Sequence, residues 1–428
     1  MKLNLHTSTL PNGIRVTTAT MPHVAAVTIG MWIKVGGRNE TARLNGMSHF
    51  IEHMLFKGTR TRNAKQLSQA IEGRGGYLDA YTQEELTCFY ARATAEHADE
   101  VFAVLADMML NPKFAPADIG REREVIVEEI AMYRDQPAQQ VDEHLMAALW
   151  PGHPLGRPIT GTEKTLAGMT RAEILNFKSA HYISENIVIG LAGDIKHPTA
   201  VSLAKKWFGG LTRRAPPAHE KLAAGAPQEN FALEKRRIDQ THLALGFRTF
   251  GRYDERKYAM KLMSVLLGEN MSSRLFQIVR EDNGLAYAIS SGMQLFDETG
   301  LFSVDAGLDA DRTPAALDLI FRELGRLRSR APTAKELRQA KDYAIGQLRL
   351  GLESSTNQMT WCAEQLISYG DILQPEEIVA KLESVRAGEI RALAAEVFQP
   401  RCASTAIISP LAASKLESHL SRLQRRHL

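Results

Sequence analysis

The sequence predicts an α+β protein made of two similar α/β domains, each with a β-sheet flanked by helices. The chain has 428 residues, which exceeds the length that one hydrophobic core usually organises. Its hydrophobic content of 44% and charged content of 24% are typical of a soluble globular protein. The strand and helix patterns stop at residues 212–230, a stretch rich in Pro and Ala, and then start again.

This interruption sets the predicted domain borders. We expect an N-terminal domain at 1–211, an interdomain linker at 212–230 and a second, homologous domain at 231–411. The remaining residues, 412–428, form a basic tail with Leu416, Leu420 and Leu423 near helical spacing. A partner or a membrane surface could bind this tail, but a solvated terminal helix or a disordered tail is the expectation.

Local patterns predict the elements of the first domain. Runs rich in β-branched residues next to turn residues predict strands, and apolar residues three or four positions apart predict helices. The predicted strands are residues 14–18, 25–35, 77–81, 86–93 and 186–192. The predicted helices are the one around His49, then 64–71, 95–110, 116–133, 171–181 and 198–207.

The second domain roughly repeats this order, which indicates an internal duplication. Its predicted strands are residues 242–247, 287–293 and 301–307. Its predicted helices are residues 258–267, 274–280, 314–328 and 334–352.

Two histidines and a glutamate lie on one turn of the predicted apolar helix, in the order His49, Glu52, His53. The histidines are four residues apart, so their side chains lie on the same helix face and can share a metal ion. This H-x-x-E-H order is the inverzincin signature of zinc proteases. The alternative is a chance arrangement on a partly buried helix, and the motif still needs a third ligand.

Zinc chemistry explains why these residue types occur together. A catalytic zinc ion takes three protein ligands and keeps one position open for water. The ion lowers the pKa of that water, and a nearby carboxylate that is not a ligand can then accept its proton. Glu52 suits this role.

A second predicted helix offers the third ligand. Its residues at helical spacing are Val125, Ile126, Glu129 and Met132. This pattern predicts that Glu129 shares an inward face with apolar neighbours, where a carboxylate needs a partner such as a metal ion. Glu122 lies two turns earlier on the same face and could support the site, whereas Glu124 and Glu128 are expected on a solvated acidic face.

These residues resemble the pitrilysin family of zinc metallopeptidases, in the branch of the mitochondrial processing peptidase β subunit and its bacterial relatives. The resemblance rests on the run from His49 to Thr59 and on Glu129, 76 residues after His53. It extends over nearly the whole chain, to Arg280 and Tyr287. It implies that His49, His53 and Glu129 bind one Zn²⁺ per chain, that Glu52 is the general base, and that Glu122 supports them.

The resemblance also gives a role to the strand that begins after Gly76. In relatives this strand is an exposed edge to which an extended peptide substrate adds through main-chain hydrogen bonds. Gly76, Asp79 and Ala80 are the residues implied here. Relatives usually carry Asn before the Ala, whereas this chain carries Asp79, which cannot donate a hydrogen bond while ionised.

Arg280 and Tyr287 are implied to contact the substrate and its developing oxyanion, respectively. Read without the resemblance, a helix-terminal Arg and a strand Tyr are usually structural. Relatives with four domains form a clamshell with the zinc in one shell and the Arg-Tyr pair in the other. A chain with two domains is half of this clamshell, so we expect a homodimer with composite active sites and a chamber that admits unfolded peptides.

Other features limit the function. The net charge of +3 argues against a nucleic-acid partner. Three widely spaced cysteines indicate a reducing compartment. Without an apolar leader or an 18-residue apolar run, we expect a cytoplasmic protein with no membrane partner. The zinc motif and the resemblance together predict a zinc endopeptidase, and the alternative is a non-catalytic scaffold or a processing-peptidase-like subunit that needs a partner chain.

Overall fold

The computed structural model of the chain describes residues 3–223, 225, 228 and 230–428. Met1 and Lys2 lie outside the described residues, as do four residues of the predicted linker, at positions 224, 226, 227 and 229.

The first half of the chain alternates strands and helices as its sequence pattern predicts, with one additional strand at its start and two additional helices between the predicted helices 116–133 and 171–181. Its strands and helices are β1 (Leu5–Thr9), β2 (Arg15–Thr20), β3 (Ala26–Ile33), α1 (Met47–Leu55), α2 (Ala64–Glu72), β4 (Tyr77–Thr82), β5 (Thr87–Thr94), α3 (Ala98–Leu110), α4 (Pro116–Arg134), α5 (Pro137–Leu149), α6 (Glu163–Ala167), α7 (Arg171–His181), β6 (Ile187–Gly193) and α8 (His197–Phe208).

The second half begins at a strand that the sequence pattern did not predict. Its strands and helices are β7 (Phe231–Lys235), β8 (Gln240–Phe250), α9 (Lys257–Leu267), β9 (Ala286–Leu295), β10 (Thr299–Asp309), α10 (Thr313–Ser329), α11 (Ala334–Gly351), α12 (Ser355–Tyr369), α13 (Pro375–Ser384), α14 (Ala387–Val397), β11 (Ala403–Ser409) and α15 (Ala413–His427). A short π-helical turn, Phe276–Glu281, lies between α9 and β9.

Residue contacts divide the chain into two compact units that are not continuous in sequence. The first unit comprises Met1–Ala131, Arg157–Glu220 and Arg349–Glu376. The second comprises Met132–Gly156, Lys221–Leu348 and Glu377–Leu428. The change of unit after Glu220 falls inside the predicted linker. However, the predicted domains were continuous, whereas α5 belongs to the second unit and α12 to the first.

The first unit contains a six-stranded sheet in the order β1-β2-β6-β3-β5-β4. The pair β2–β6 is parallel and the other pairs are antiparallel. One face carries the main core of this unit, to which α1, α3 and α8 contribute buried residues. Strand β4 lies at one edge of the sheet, and no strand of the described residues pairs with its outer side.

The second unit contains a five-stranded sheet in the order β7-β11-β8-β10-β9. The pair β7–β11 is parallel and the others are antiparallel. This arrangement matches β2-β6-β3-β5-β4 of the first sheet strand for strand. The predicted fold class, two similar α/β domains in one chain, is confirmed.

Helix α12 covers the second face of the first sheet. Its buried residues Met359, Cys362 and Ala363 pack in one cluster with Trp32. A side chain at Gly190 on β6 would place its Cβ 2.9 Å from the Cβ of Ala363, so glycine permits this close approach of helix and sheet.

Helix α5 has the equivalent position in the second unit. Val141, Leu145 and Leu149 pack with Ala406 and Ile408 of β11 in a separate apolar cluster. Each sheet is thus covered on one face by a helix that lies far from it in the sequence.

The C-terminal residues form α15, which belongs to the second unit. Leu416, Leu420 and Leu423 are buried in the core of that unit. The tail is a terminal helix, one of the two forms expected, but it is not fully solvated, because its three leucines form an apolar stripe that packs in the core. Among the described residues, no helix is both long enough and apolar enough to cross a membrane.

Candidate metal centre

Helix α1 carries His49, Glu52 and His53. It begins after Gly46, whose φ of 94° lies in the left-handed region. A Cβ at this position would lie 2.6 Å from the carbonyl oxygen of Thr160, so the start of the helix requires glycine. The residues of α1 that are buried in the main core are Met47, Phe50, Ile51, Met54 and Leu55.

The first turn of α1 is capped by Glu40, a buried residue of the preceding loop. Its Oε2 accepts a hydrogen bond from Gly46 N–H at 2.7 Å, and its Oε1 accepts one from Ser48 N–H at 2.6 Å. Burial raises the pKa of the Glu40 carboxyl to about 7, although these hydrogen bonds lower it. Because Gly46 has no capping side chain, Glu40 satisfies amides that the helix itself leaves without partners.

His49, His53 and Glu129 form the cluster of metal-ligating side chains that is found in the described part of the chain. The distance from His49 Nε2 to Glu129 Oε2 is 3.7 Å, and that from His53 Nε2 to the same oxygen is 3.5 Å. The two imidazole rings have centroids 4.6 Å apart. Residues from two helices, α1 and α4, thus converge on one small volume.

This cluster fits zinc. Tetrahedral coordination with bonds of about 2.0–2.2 Å separates neighbouring ligand atoms by about 3.3–3.6 Å. The observed distance of 3.5 Å lies within this range, and that of 3.7 Å lies just above it. Two imidazoles and one carboxylate also form one of the usual ligand sets of catalytic zinc sites, with a fourth position left open.

Glu122 holds the ring of His53 from the side opposite the cluster. Its Oε2 lies 3.2 Å from His53 Nδ1, and its Oε1 pairs with Lys57 Nζ at 2.6 Å. Burial would raise the pKa of the Glu122 carboxyl, but the hydrogen bonds from His53 and Lys57 outweigh burial and lower it. An ionised Glu122 accepts a hydrogen bond from Nδ1–H of His53, so the unprotonated Nε2 faces Glu129.

His49 is buried, and burial together with the nearby His53 lowers its pKa to about 3. A neutral imidazole is the form that binds a metal ion. Its Nδ1 has no hydrogen-bond partner among the described residues.

Glu52 lies beside the cluster. Its Oε2 accepts a hydrogen bond of 2.5 Å from the hydroxyl of Thr82, the last residue of β4. Burial raises the pKa of the Glu52 carboxyl, against the effect of this hydrogen bond. A partly buried carboxylate with raised pKa, held next to a metal site, has the properties of a general base.

The edge strand β4 ends at this carboxylate. The N–H of Ala80 donates to Oδ1 of Asp79 at 2.8 Å, and the hydroxyl of Tyr90 donates to Oδ2 at 3.2 Å. Gly76 precedes the strand, and a Cβ there would lie 2.4 Å from the carbonyl oxygen of Arg92. The three residues named for substrate binding thus lie on or directly before the edge strand whose last residue, Thr82, contacts Glu52.

Arg280 and Tyr287 belong to the second unit, whereas the histidine cluster belongs to the first. The guanidinium of Arg280 stacks on the ring of Phe276, 4.6 Å from its centroid. Tyr287 lies near the start of β9, the edge strand of the second sheet, and is 64% exposed.

The predicted inward face of α4 is partly wrong. Val125 and Met132 are both 49% exposed, whereas Ile126 is buried. The buried face of α4 consists of Ile119, Glu122, Ile126 and Ile130. Glu129 lies at the border between the buried and exposed faces, which lets its carboxylate reach the histidines without leaving solvent entirely.

Two residues of the site were missed by the sequence reading, Glu40 and Thr82. Neither shares a helical repeat with the histidines, because one comes from a loop and the other from the end of a strand. The only signal was the acidic residue shortly before Gly46, which could have suggested a helix cap.

Comparison with known proteins agrees with this architecture. Residues 15–163 match the family model of the insulinases, peptidase family M16, and residues 168–343 match that of the peptidase M16 inactive domain. The chain therefore belongs to peptidase family M16, the pitrilysin family, and the resemblance is confirmed.

Two similar proteins are named zinc proteases. An uncharacterized zinc protease of Mycobacterium leprae is 36% identical over 95% of this chain and 92% of its own length. The uncharacterized zinc protease YmxG of Bacillus subtilis is 35% identical over 94% of this chain and 97% of its own length.

Solved structures share the fold. A protease from Helicobacter pylori has a TM-score of 0.89 at 22% identity and covers 96% of this chain and 100% of its own. A peptidase M16 inactive domain from Pseudomonas fluorescens has a TM-score of 0.88 at 20% identity, with 96% and 99% covered.

Proposed function

We propose that this chain is a zinc-dependent endopeptidase that hydrolyses unfolded peptides or oligopeptides. The observation that carries the proposal is the cluster of His49, His53 and Glu129, with the carboxylate of Glu52 beside it. Membership of peptidase family M16 supports the same reading.

Each residue has a defined role in this proposal. His49, His53 and Glu129 would hold one Zn²⁺, which supplies a Lewis acid and lowers the pKa of a water molecule. Glu52 would accept the proton of the attacking water and deliver it to the leaving amine. Thr82 would orient Glu52, and Glu122 would fix the ring of His53.

The substrate would bind as an additional strand on β4. Main-chain hydrogen bonds give such binding most of its affinity, so it tolerates many sequences but requires an extended chain. Most folded proteins have few unpaired extended segments to offer this edge, so unfolded peptides are the expected substrates. The position of Glu52 at the end of β4 supports this mode, because it brings the proposed base next to a peptide on the edge.

The proposal includes a homodimer with composite sites. Arg280 and Tyr287 of one subunit would act at the histidine cluster of the other, with Arg280 binding the peptide and Tyr287 donating a hydrogen bond to the oxyanion. The exposure of Tyr287 supports a role outside the core of its own unit.

The test is digestion of a mixture of unfolded peptides and folded proteins by wild type, Glu52→Gln and Arg280→Ala, with the zinc content of each measured. We expect wild type to cut the unfolded peptides and to leave the folded proteins intact. Glu52→Gln should keep its zinc and lose activity. A mixture of the two inactive variants should regain activity, because one of its composite sites is intact.

Two results would contradict the proposal. Zinc binding without any cleavage by wild type would favour the scaffold or a subunit that needs a partner chain. Cleavage by wild type with no recovery of activity in the mixture would support the proposed peptidase function but contradict the composite sites.

A further inference from the structure

The end of the edge strand β4 is in contact with helices on both faces of the first sheet. Successive side chains of a strand point to opposite faces, so Tyr81 and Thr82 lie on opposite sides. Thr82 donates its hydroxyl hydrogen to Oε2 of Glu52 on α1, at 2.5 Å. Tyr81 packs against the apolar cluster that α12 forms with the sheet. The residue that contacts the proposed base is therefore the chain neighbour of one that contacts α12.

Three polar side chains link the sheet to α12. The indole N–H of Trp32, which is fully buried, donates to the hydroxyl oxygen of Tyr81 at 3.2 Å. The hydroxyl of Tyr81 donates in turn to Oε1 of Glu364 on α12, at 2.7 Å. Burial, together with the nearby Cys88 and Glu364, raises the pKa of the Tyr81 hydroxyl, so this group keeps its proton and can donate. Since an indole can only donate, the direction of both hydrogen bonds is fixed.

This link lies where β4 has little other support. Among the described strands, β4 pairs with β5 alone. The pair of Thr82 with Thr87 is the last of this ladder, and the pair of Tyr81 with Cys88 comes just before it. Amides at the end of a ladder open more readily than those in its middle. The hydrogen bond to α12 is thus placed to fix a strand end that the ladder alone would leave mobile.

A second contact joins β4 to α12 at the start of the strand. The hydroxyl of Tyr77 lies 3.3 Å from that of Thr356. This pair is exposed, so water competes for both hydroxyls and the contact adds little. The link from Tyr81 to Glu364 is partly buried and lies next to Thr82. It is therefore the contact that can hold the end of β4.

We propose that Tyr81 and Glu364 are positioning residues for the peptidase reaction. Their hydrogen bond fixes the end of β4, and Thr82 at that end then holds Glu52 beside the metal cluster. The proposal rests on the proposed peptidase function. Neither residue would contact the substrate or the zinc ion, because both act through Thr82. Helix α12, which covers the first sheet, thereby also contributes to the geometry of the site.

The experiment compares wild type with variants of the two residues. Tyr81→Phe removes the hydroxyl and keeps the ring, whereas Glu364→Ala removes the acceptor. Glu364→Gln keeps an oxygen acceptor at the same position and therefore tests rescue. Glu353→Ala is the matched control, because Glu353 is an exposed carboxylate just before α12. Zinc analysis and urea unfolding show which variants keep the metal site and the fold.

We expect Tyr81→Phe and Glu364→Ala to lower kcat by about three- to tenfold, the effect of losing one interior hydrogen bond. Glu364→Gln and Glu353→Ala should retain most of the wild-type kcat. The dissociation constant of a peptide, measured in the Glu52→Gln background, should change little in Tyr81→Phe, because β4 stays paired with β5. This separation of kcat from binding distinguishes positioning from a general loss of structure.

A double variant tests whether the effect passes through Thr82. In a Thr82→Val background, Tyr81→Phe should cause little further loss of kcat, because the residue through which it acts is already changed. A double variant whose loss equals the product of the two single losses overturns the proposal. Full kcat in Tyr81→Phe overturns it as well.

Hydrogen–deuterium exchange provides a measurement that does not depend on cleavage. The amides of residues 77–82 should exchange faster in Tyr81→Phe and Glu364→Ala than in wild type and Glu353→Ala. If wild type cuts nothing, this result still supports the positioning of β4 by α12, and only the proposed peptidase function fails. Unchanged exchange in β4 overturns the proposal. Faster exchange throughout the first unit also overturns it, since this would show a general loss of packing.

Discussion

The hydroxyl of Thr82 fixes the carboxylate of Glu52. We predict that Thr82→Val lowers kcat roughly tenfold, since a hydrogen bond to a charged group contributes about 1.5–3 kcal/mol and part of this is recovered from water. Thr82→Ser should retain most of the activity because it keeps the hydroxyl. Steady-state kinetics with zinc analysis of each variant measures the effect.

A loss of zinc or of folded protein in Thr82→Val would indicate a structural role instead. Full kcat in Thr82→Val would show that Glu52 needs no fixed orientation.

Glu122 fixes the ring of His53, and its loss should weaken the metal site. We predict that Glu122→Gln lowers zinc affinity by about 10–100-fold, the usual effect of removing a partner of a ligating histidine. Competition with a chelator measures this affinity. Glu124→Gln is the control, since Glu124 is an exposed carboxylate on the same helix. Equal affinities for the two variants would contradict the role of Glu122.

The sequence predicted the members of the metal cluster but not the residues that orient Glu52 and α1. His49 and His53 share a helical repeat, so their spacing identified them. Glu129 was found from the pattern of α4, whose predicted inward face is partly wrong, together with the family resemblance. Thr82 and Glu40 reach α1 from a strand end and a loop. Their roles depend on where separate elements meet in space, which periodicity does not encode.

Asp107 on α3 holds the loop that follows α1 through several hydrogen bonds. Its Oδ2 accepts hydrogen bonds from the hydroxyls of Thr59 and Thr61, at 2.6 and 2.7 Å, and from Arg62 at 2.8 Å. Burial would raise the pKa of the Asp107 carboxyl, but these hydrogen bonds, with one from Asn111, outweigh burial and lower it.

A carboxyl group with a lowered pKa in the folded chain stabilises it above the unfolded pKa, about 3.9 for Asp. This stabilisation is lost as the pH falls through the folded value. We therefore predict that Asp107→Asn is less stable than wild type by roughly 1–3 kcal/mol at neutral pH. The difference should shrink below about pH 4.

Urea unfolding at several pH values measures this difference. Asp99→Asn, an exposed substitution on the same helix, should show little change at any pH. A constant gap between Asp107→Asn and wild type from neutral to acidic pH would contradict the predicted linkage.

Element prediction succeeded where partners are close in sequence and failed where they are distant. Strands β3 and β5 and helices α3 and α8 were predicted, because each shows its period clearly and packs within its own half. Helices α5 and α12 were not predicted. The face that each buries is set by a sheet from the other half of the chain, so nothing nearby in the sequence indicates that they belong there.

Each half of the chain depends on a helix from the other half. Helix α12 of the second half covers the first sheet, and α5 of the first half covers the second sheet. We predict that residues 1–220 alone fold poorly and bind a hydrophobic dye, because Trp32 and Val188 lose the cover of α12. Co-expression with residues 221–428 should restore a soluble complex. Circular dichroism and dye fluorescence measure both outcomes.

The matched control is a full-length chain cut at an engineered protease site within residues 213–223 after it has folded. This nicked chain has the same break but already holds α12 in place, so it should stay folded. A stable, dye-free fragment 1–220 would show that α12 is dispensable for the first unit.

The position of α12 also affects events on the ribosome. The last strand of the first sheet ends at Gly193, and α12 ends at Tyr369, roughly 180 residues later. At about 5–20 residues per second, translation takes on the order of ten to thirty seconds to cover that distance. During this interval the sheet face around Trp32 is exposed on the nascent chain, because α12 has not yet been synthesised. A ribosome-associated chaperone would have to protect this apolar face.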